Sequence, residues 1–120
     1  MIPKSGNRFS EKIMLKQKAR PIVWSADAEE DLFQIWSYLA RQTSQTIADR
    51  QIRTIRQACR RLGRLPYSGR TRDQLVPGIR SILIEPYVAF YRVTNTNVEI
   101  VRVLPGRRDL EAVLVVKPRH

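Results

Sequence analysis

Residues 79–104 read IRSILIEPYVAFYRVTNTNVEIVRVL. Three runs in this stretch, 79–84, 87–93 and 98–104, are rich in the β-branched and aromatic residues that favour strands. Glu85-Pro86 separates the first two runs, and Asn95-Thr96-Asn97 separates the last two. Because such short, turn-forming gaps join neighbouring strands, the stretch predicts an antiparallel meander.

Tight turns at both gaps would also set the register of the three strands. Three cross-strand pairs are then predicted: Arg80 with Tyr91, Arg102 with Ala89, and Arg92 with Glu99. In this register Arg80 and Arg102 flank Tyr91 on one face of the sheet, and Arg92 pairs with Glu99 on the other. The arrangement indicates either an arginine–tyrosine recognition surface or arginine stems that pack on aromatic rings.

Both faces of this sheet are predicted to be apolar. One face carries Ile82, Ile84, Tyr91 and Ile100, and the other carries Leu83, Val88, Phe90, Val101 and Val103. A helical layer covers only one face, so the second must be covered by a partner protein or by the apolar run at residues 112–116.

Upstream of the meander, the sequence predicts a short strand and two helices. Residues 20–24 favour a strand that Pro21 places at a sheet edge or at a strand's first position, and Ser25 is a good helix N-cap. Thr43 and Ser44 separate two apolar stripes with helical spacing, and they can cap the second helix. The stripes are Ala28, Leu32, Ile35, Trp36, Leu39 and Ala40, then Ala48, Ile52, Ile55, Cys59 and Leu62.

The element order is therefore β-α-α-β-β-β, which predicts an α+β domain in which a helical hairpin packs on a small antiparallel sheet. The chain has 120 residues, enough for one domain. Residues 20–120 are predicted to form it. Residues 1–19 contain four of the five lysines and few apolar residues, and are expected to be a basic, flexible arm. The sequence does not decide whether this arm is part of the native protein.

The charge of the chain favours acidic partners. Lysine and arginine number 22 against 11 aspartate and glutamate, a net charge of +11. Seventeen of the basic residues are arginines, whose planar fork binds phosphate or carboxylate bidentately. Six of them lie on the surface of the second helix: Arg50, Arg53, Arg56, Arg60, Arg61 and Arg64.

Other classes of protein are disfavoured by composition. No apolar run approaches the roughly 20 residues of a membrane-spanning helix, or the 7 or so of a secretory signal. Cys59 is the only cysteine and His120, the last residue, is the only histidine, so the chain has neither a disulfide nor a two-histidine metal site. We expect a cytoplasmic protein without a cofactor, in which Cys59 packs in the core.

Four ordered motifs between Ala28 and Asp109 resemble the RelE/ParE toxin superfamily, and within it the ParE branch. They are Ala28-x-x-Asp31-Leu32-x-x-Ile35-x-x-Tyr38-Leu39, Leu65-Pro66-x-x-Gly69-Arg70-x-Arg72-x-x-Leu75-x-x-Gly78-x-Arg80, Tyr87-Val88-x-Phe90-Tyr91-Arg92 and Val101-Arg102-Val103-Leu104-Pro105-Gly106-Arg107-Arg108-Asp109. The family commonly carries histidine where this chain has Pro105. The sequence does not decide whether this difference abolishes or alters toxicity.

The resemblance implies the toxin of a type II toxin–antitoxin (plasmid stabilisation) system, held inactive by a cognate antitoxin. ParE-like members inhibit DNA gyrase and stall replication, whereas RelE-like members cut mRNA on the ribosome. RNA cleavage needs a proton-transfer group beside its cations, and arginine, with a pKa above about 12, is a poor one. We therefore expect a non-enzymatic gyrase inhibitor. A RelE-like endoribonuclease and a basic nucleic-acid-binding module remain the alternatives.

The candidate site residues are mostly arginines. The residues predicted to bind the target are Arg70, Arg72, Arg80, Arg102, Arg107, Arg108 and Asp109. The residues predicted to bind the antitoxin are Tyr87, Phe90 and Tyr91. No catalytic residue is predicted for a gyrase inhibitor, and in a ribonuclease Arg80, Arg102 and Arg108 would serve.

Overall fold

A computed structural model describes residues 19–106, in which two helices pack on a five-stranded sheet. The elements in chain order are β1 (Ile22–Trp24), α1 (Ala26–Gln42), α2 (Gln45–Arg60), a 3-10 turn (Arg61–Gly63), β2 (Arg70–Thr71), β3 (Arg80–Ile84), β4 (Tyr87–Val93) and β5 (Val98–Pro105). The strand order is β1-β5-β4-β3-β2. This confirms the predicted α+β class and the helical hairpin.

Both helices begin at the predicted serine caps. The Ser25 hydroxyl accepts the Ala28 amide at 2.9 Å, and the Ser44 hydroxyl accepts the Ile47 amide at 3.2 Å. Each cap satisfies a backbone N–H that lacks a partner in the first helical turn. The break between the helices is therefore encoded locally, and only Thr43 and Ser44 lie between α1 and α2.

Three side-chain contacts hold the helices and β1 together. The Trp36 indole N–H donates to Asp49 at 2.8 Å. Arg56 pairs with Glu29 at 2.9 Å, and its guanidinium lies 4.9 Å from the centre of the Trp24 ring. Arg56 is thereby engaged inside the domain, whereas the other arginines of α2 have no ion pair or side-chain hydrogen bond within residues 19–106.

The sheet differs from the prediction at its two edges. β3, β4 and β5 form the predicted antiparallel meander, but β1 pairs with β5 in parallel, so the sheet is mixed. β1 does lie at an edge, as Pro21 indicated. The other edge is β2, two residues for which no strand was predicted and which pair with Arg80 and Ser81.

A β-bulge corrects the predicted register of β5. Arg80 lies opposite Tyr91 and Arg92 opposite Glu99, as predicted, and the latter pair is 3.7 Å apart. The register shifts between Phe90 and Tyr91, so Arg102 lies opposite Phe90 rather than Ala89. The turns were therefore predicted correctly, and one extra residue in β5 changes every pair beyond it.

Two apolar clusters cover the two faces of the sheet. The helices pack on Ile84, Tyr91 and Ile100. The opposite cluster contains Val88, Phe90 and Leu104, with Leu75 and Val76 of the β2–β3 loop packed against it.

The structure also locates three further apolar residues, Val103, Leu83 and Cys59. The predicted face of Val103 is wrong, because the bulge moves that side chain into the helix-side cluster. Leu83 is 68% exposed and belongs to neither cluster. Cys59 is buried in the core, as expected, and burial raises the pKa of its thiol to about 12.

Several predictions concern residues outside 19–106. The basic arm, apart from Ala19, and the proposed contacts Arg107, Arg108 and Asp109 lie beyond the described residues, as do the 112–116 run and His120. Where the description begins, the Arg20 amide donates to the Gly63 carbonyl at 2.9 Å. Within 19–106, no helix is long and apolar enough to span a membrane.

Candidate functional site

The loop at residues 66–69 is fastened to the sheet by one buried tyrosine. The Tyr91 hydroxyl donates to the Pro66 carbonyl and accepts the Gly69 amide, both at 2.8 Å. A Cβ atom at Gly69 would lie 2.3 Å from that hydroxyl and 2.8 Å from the Ser81 carbonyl oxygen. Glycine is therefore required here because the backbone passes against the tyrosine and β3.

Arg80 braces the same loop from β3. Its guanidinium donates to the Gly69 carbonyl at 2.9 Å and to the Tyr67 carbonyl at 3.2 Å. The guanidinium also lies 5.1 Å from the centre of the ring of Tyr67, a residue that is itself exposed. Arg80 thus lies beside Tyr91, as predicted, and helps to hold the loop in place.

Arg102 serves a different part of the molecule. It forms a bidentate pair with Asp31 of α1, at 2.7 and 2.9 Å, and one oxygen of Asp31 also accepts the Val103 amide at 2.9 Å. The hydrogen bond to Asp31 raises the pKa of Arg102 further, although its burial acts in the opposite direction. The prediction that Arg80 and Arg102 together flank Tyr91 is wrong, because the bulge directs Arg102 to α1.

Arg70 and Arg72 follow the loop on and beside β2. Arg72 is half-buried, and its Nε donates to the Ser81 hydroxyl at 3.1 Å. Arg70 is exposed and makes no ion pair or side-chain hydrogen bond with the rest of residues 19–106. Among the predicted target-binding residues that the structure describes, Arg70 is therefore the one with an exposed guanidinium available for a partner.

A groove of about 420 Å³ runs along the outer edge of β3. β2 pairs with β3 only at Arg80 and Ser81, so within the described chain no strand covers this edge from Ile82 onwards. The groove is lined by Leu65, Leu83, Arg61 and Arg70, among others. Leu65 and Leu83 were not among the contact residues predicted from the sequence; their exposure, 62% and 68%, is visible only in the fold.

The three residues predicted to bind the antitoxin are buried. Phe90 and Tyr91 are 0% exposed, so neither offers a surface to a partner in this structure. Tyr87 is 8% exposed and lines a separate groove of about 520 Å³ with Tyr38 of α1. Burial, followed by the proximity of Tyr38, raises the pKa of Tyr87.

The chemistry visible around the loop is cationic and hydrogen-bonding. Burial raises the pKa of the Tyr91 hydroxyl, which donates to the Pro66 carbonyl. No group of three or more histidine, cysteine, aspartate or glutamate side chains between 19 and 106 is placed to hold a metal ion. What this surface can do is bind an anionic or hydrogen-bond-accepting partner through Arg70 and its neighbours.

Comparison with known proteins identifies relatives of the whole fold. Residues 22–110 match the family model described as the ParE toxin of the type II toxin–antitoxin system parDE. The chain is 32% identical over 84 residues to Toxin ParE3 of Caulobacter vibrioides, covering 70% of this chain and 84% of that protein. A solved structure of the chromosomal ParDE system from P. aeruginosa superposes with a TM-score of 0.65 at 24% identity, covering 72% of this chain and 96% of that one.

Proposed function

The chain belongs to the ParE toxin family of type II toxin–antitoxin systems, and on that premise we propose that it acts in the cytoplasm and arrests growth by inhibiting DNA gyrase. The toxin has a cognate antitoxin, which the parDE family implies. The observation that supports a binding mechanism is the exposed Arg70, the first residue of β2, which directly follows a loop that Tyr91 and Arg80 hold in place. Because the loop is already held in place, binding through Arg70 loses little conformational entropy in ordering it.

The geometry around the loop argues against the ribonuclease alternative. A cleaving site would need its cations to converge on one scissile phosphate. Arg80 donates to carbonyls of the 66–69 loop, whereas Arg102 is paired with Asp31 of α1. Two of the three arginines that a ribonuclease would use thus form intramolecular contacts in separate parts of the fold. This separation supports inhibition by binding.

Arg70→Gln tests the proposed contact with the target. We expect the concentration needed to inhibit gyrase supercoiling to rise about tenfold, because one charge-assisted contact is lost. Folding should be unaffected, since Arg70 is exposed and unpaired within the described residues. The matched control is Arg92→Gln, which removes an exposed arginine elsewhere and should leave inhibition unchanged. Equal inhibition by both variants would remove Arg70 from the site.

We further propose that the antitoxin covers the open edge of β3. The groove there offers unpaired strand edge beyond Ser81, two exposed leucines, and Arg61 and Arg70 at its sides. An extended, acidic segment with apolar side chains matches all three features, because it adds a strand, buries the leucines and neutralises the arginines.

Leu83→Lys tests this surface. We expect antitoxin affinity to fall about 10- to 100-fold, as burial of a leucine contributes roughly 1.5–3 kcal/mol and a lysine cannot replace it. The control is Phe33→Lys on α1, where another apolar side chain is 56% exposed. Isothermal titration with the purified antitoxin provides the measurement. A larger loss for Phe33→Lys than for Leu83→Lys would place the antitoxin on another surface.

A further inference from the structure

One side of α2 carries a row of exposed arginines that the loop site does not use. Arg50, Arg53 and Arg60 of α2, and Arg64, which follows the 3-10 turn, are separated by three, seven and four residues, spacings close to whole helical turns. All four are exposed, and none has an ion pair or side-chain hydrogen bond within residues 19–106. They lie opposite the buried face of the helix, which is formed by Ala48, Ile55 and Cys59. We call these four residues the arginine row.

The row has no acidic counterpart along its length. Residues 50–72 contain eight arginines and no aspartate or glutamate. Asp49, the acid that precedes them, accepts a hydrogen bond from Trp36. A row of four exposed cations with no acid among residues 50–72 to compensate it favours contact with an external polyanion.

The side chains beside the row favour a nucleic acid over an acidic protein. Thr54 and Gln57 are exposed on the same side, and between Ile47 and Leu65 no large apolar side chain is exposed. A protein interface has an apolar centre, which this surface lacks. Arginine, glutamine and threonine are instead the side chains that contact phosphate and sugar.

We propose that the arginine row binds the phosphate backbone of duplex DNA. Residues 50–64, which run from α2 through the 3-10 turn to Arg64, span roughly 20 Å, a length over which one DNA strand presents about six phosphates. The choice of DNA rests on the proposed action on gyrase, whose substrate is duplex DNA. The toxin would then contact the enzyme through the 66–69 loop and Arg70, and the bound duplex through the arginine row.

Salt-dependent binding of a labelled 24-base-pair duplex to the full-length chain tests the inference. For four contacts we expect log K against log salt to fall with a slope of about −3 to −4. Arg53→Gln/Arg60→Gln should weaken binding roughly tenfold and flatten the slope by about two. The matched control, Arg41→Gln/Arg92→Gln, removes the same charge from exposed sites elsewhere and should change affinity less than threefold. Thermal melting of each variant checks that the fold is retained.

Three outcomes would overturn the inference. The control pair could weaken binding as much as the row variant, which would make net charge the cause. Polyglutamate could compete as well as the duplex at equal charge, which would indicate an acidic protein partner. The parent chain could inhibit gyrase supercoiling yet bind no duplex, which would leave the proposed function intact. Conversely, duplex binding that depends on the row without any gyrase inhibition would support the row and remove the proposed function.

Discussion

Asp31→Ala should lower the free energy of unfolding by about 3 kcal/mol, because it leaves the Arg102 guanidinium buried and unpaired. The side chains of the pair are only 13% and 11% exposed. Asp31 also accepts the Val103 amide, so the substitution removes three hydrogen bonds that join α1 to β5 at the bulge. Chemical denaturation of the full-length chain gives the measurement.

Two further variants distinguish loss of the Asp31–Arg102 pair from the general effect of removing a charged side chain. Glu29→Ala removes the acid of the Arg56 pair, whose side chains are 37% and 49% exposed, and should cost at most about 1 kcal/mol. Asp31→Ala/Arg102→Ala should be more stable than Asp31→Ala alone, because no unpaired charge remains. A loss below about 1 kcal/mol for Asp31→Ala would show that the pair does not hold the helix on the sheet.

Gly69→Ala should have the second large effect, a loss of about 3 kcal/mol together with loss of toxicity. The added Cβ would lie 2.3 Å from the Tyr91 hydroxyl and 2.8 Å from a backbone oxygen, so either the tyrosine or the loop must move. Either movement breaks the hydrogen bonds to Pro66 and Gly69, and it releases the loop that presents Arg70.

Growth arrest on induction and denaturant unfolding together measure the effect of Gly69→Ala. Gly106→Ala is the control, since its Cβ would approach the nearest atom, the Pro86 carbonyl oxygen, only to 3.3 Å. It should remain toxic and lose less than about 1 kcal/mol. A Gly69→Ala protein with unchanged stability and full toxicity would mean that the loop need not be fixed on Tyr91.

Features encoded by neighbouring residues were predictable from the sequence. The serine caps at Ser25 and Ser44, the helical stripes and the turn at Glu85-Pro86 each have a local chemical cause, and each is present in the structure. The pairing of Arg80 with Tyr91 followed from that turn.

Features that depend on distant residues were not predictable. Nothing at Val101 marks a bulge, and Arg102 is held by Asp31, 71 residues away in the chain. β2 has no pattern of its own and exists because it pairs with Arg80 and Ser81. Aromatic residues can be recognised in a sequence, but whether Phe90 is covered depends on the β2–β3 loop that packs against it.

The most direct test of the proposed function assays gyrase and translating ribosomes in parallel, each with the same preparation of the full-length chain. We predict that the chain inhibits supercoiling of relaxed plasmid by gyrase, that the antitoxin restores supercoiling, and that translating ribosomes show no new mRNA cuts. New cuts at ribosome-bound codons with gyrase unaffected would contradict the proposal that its arginines bind a target without proton-transfer chemistry.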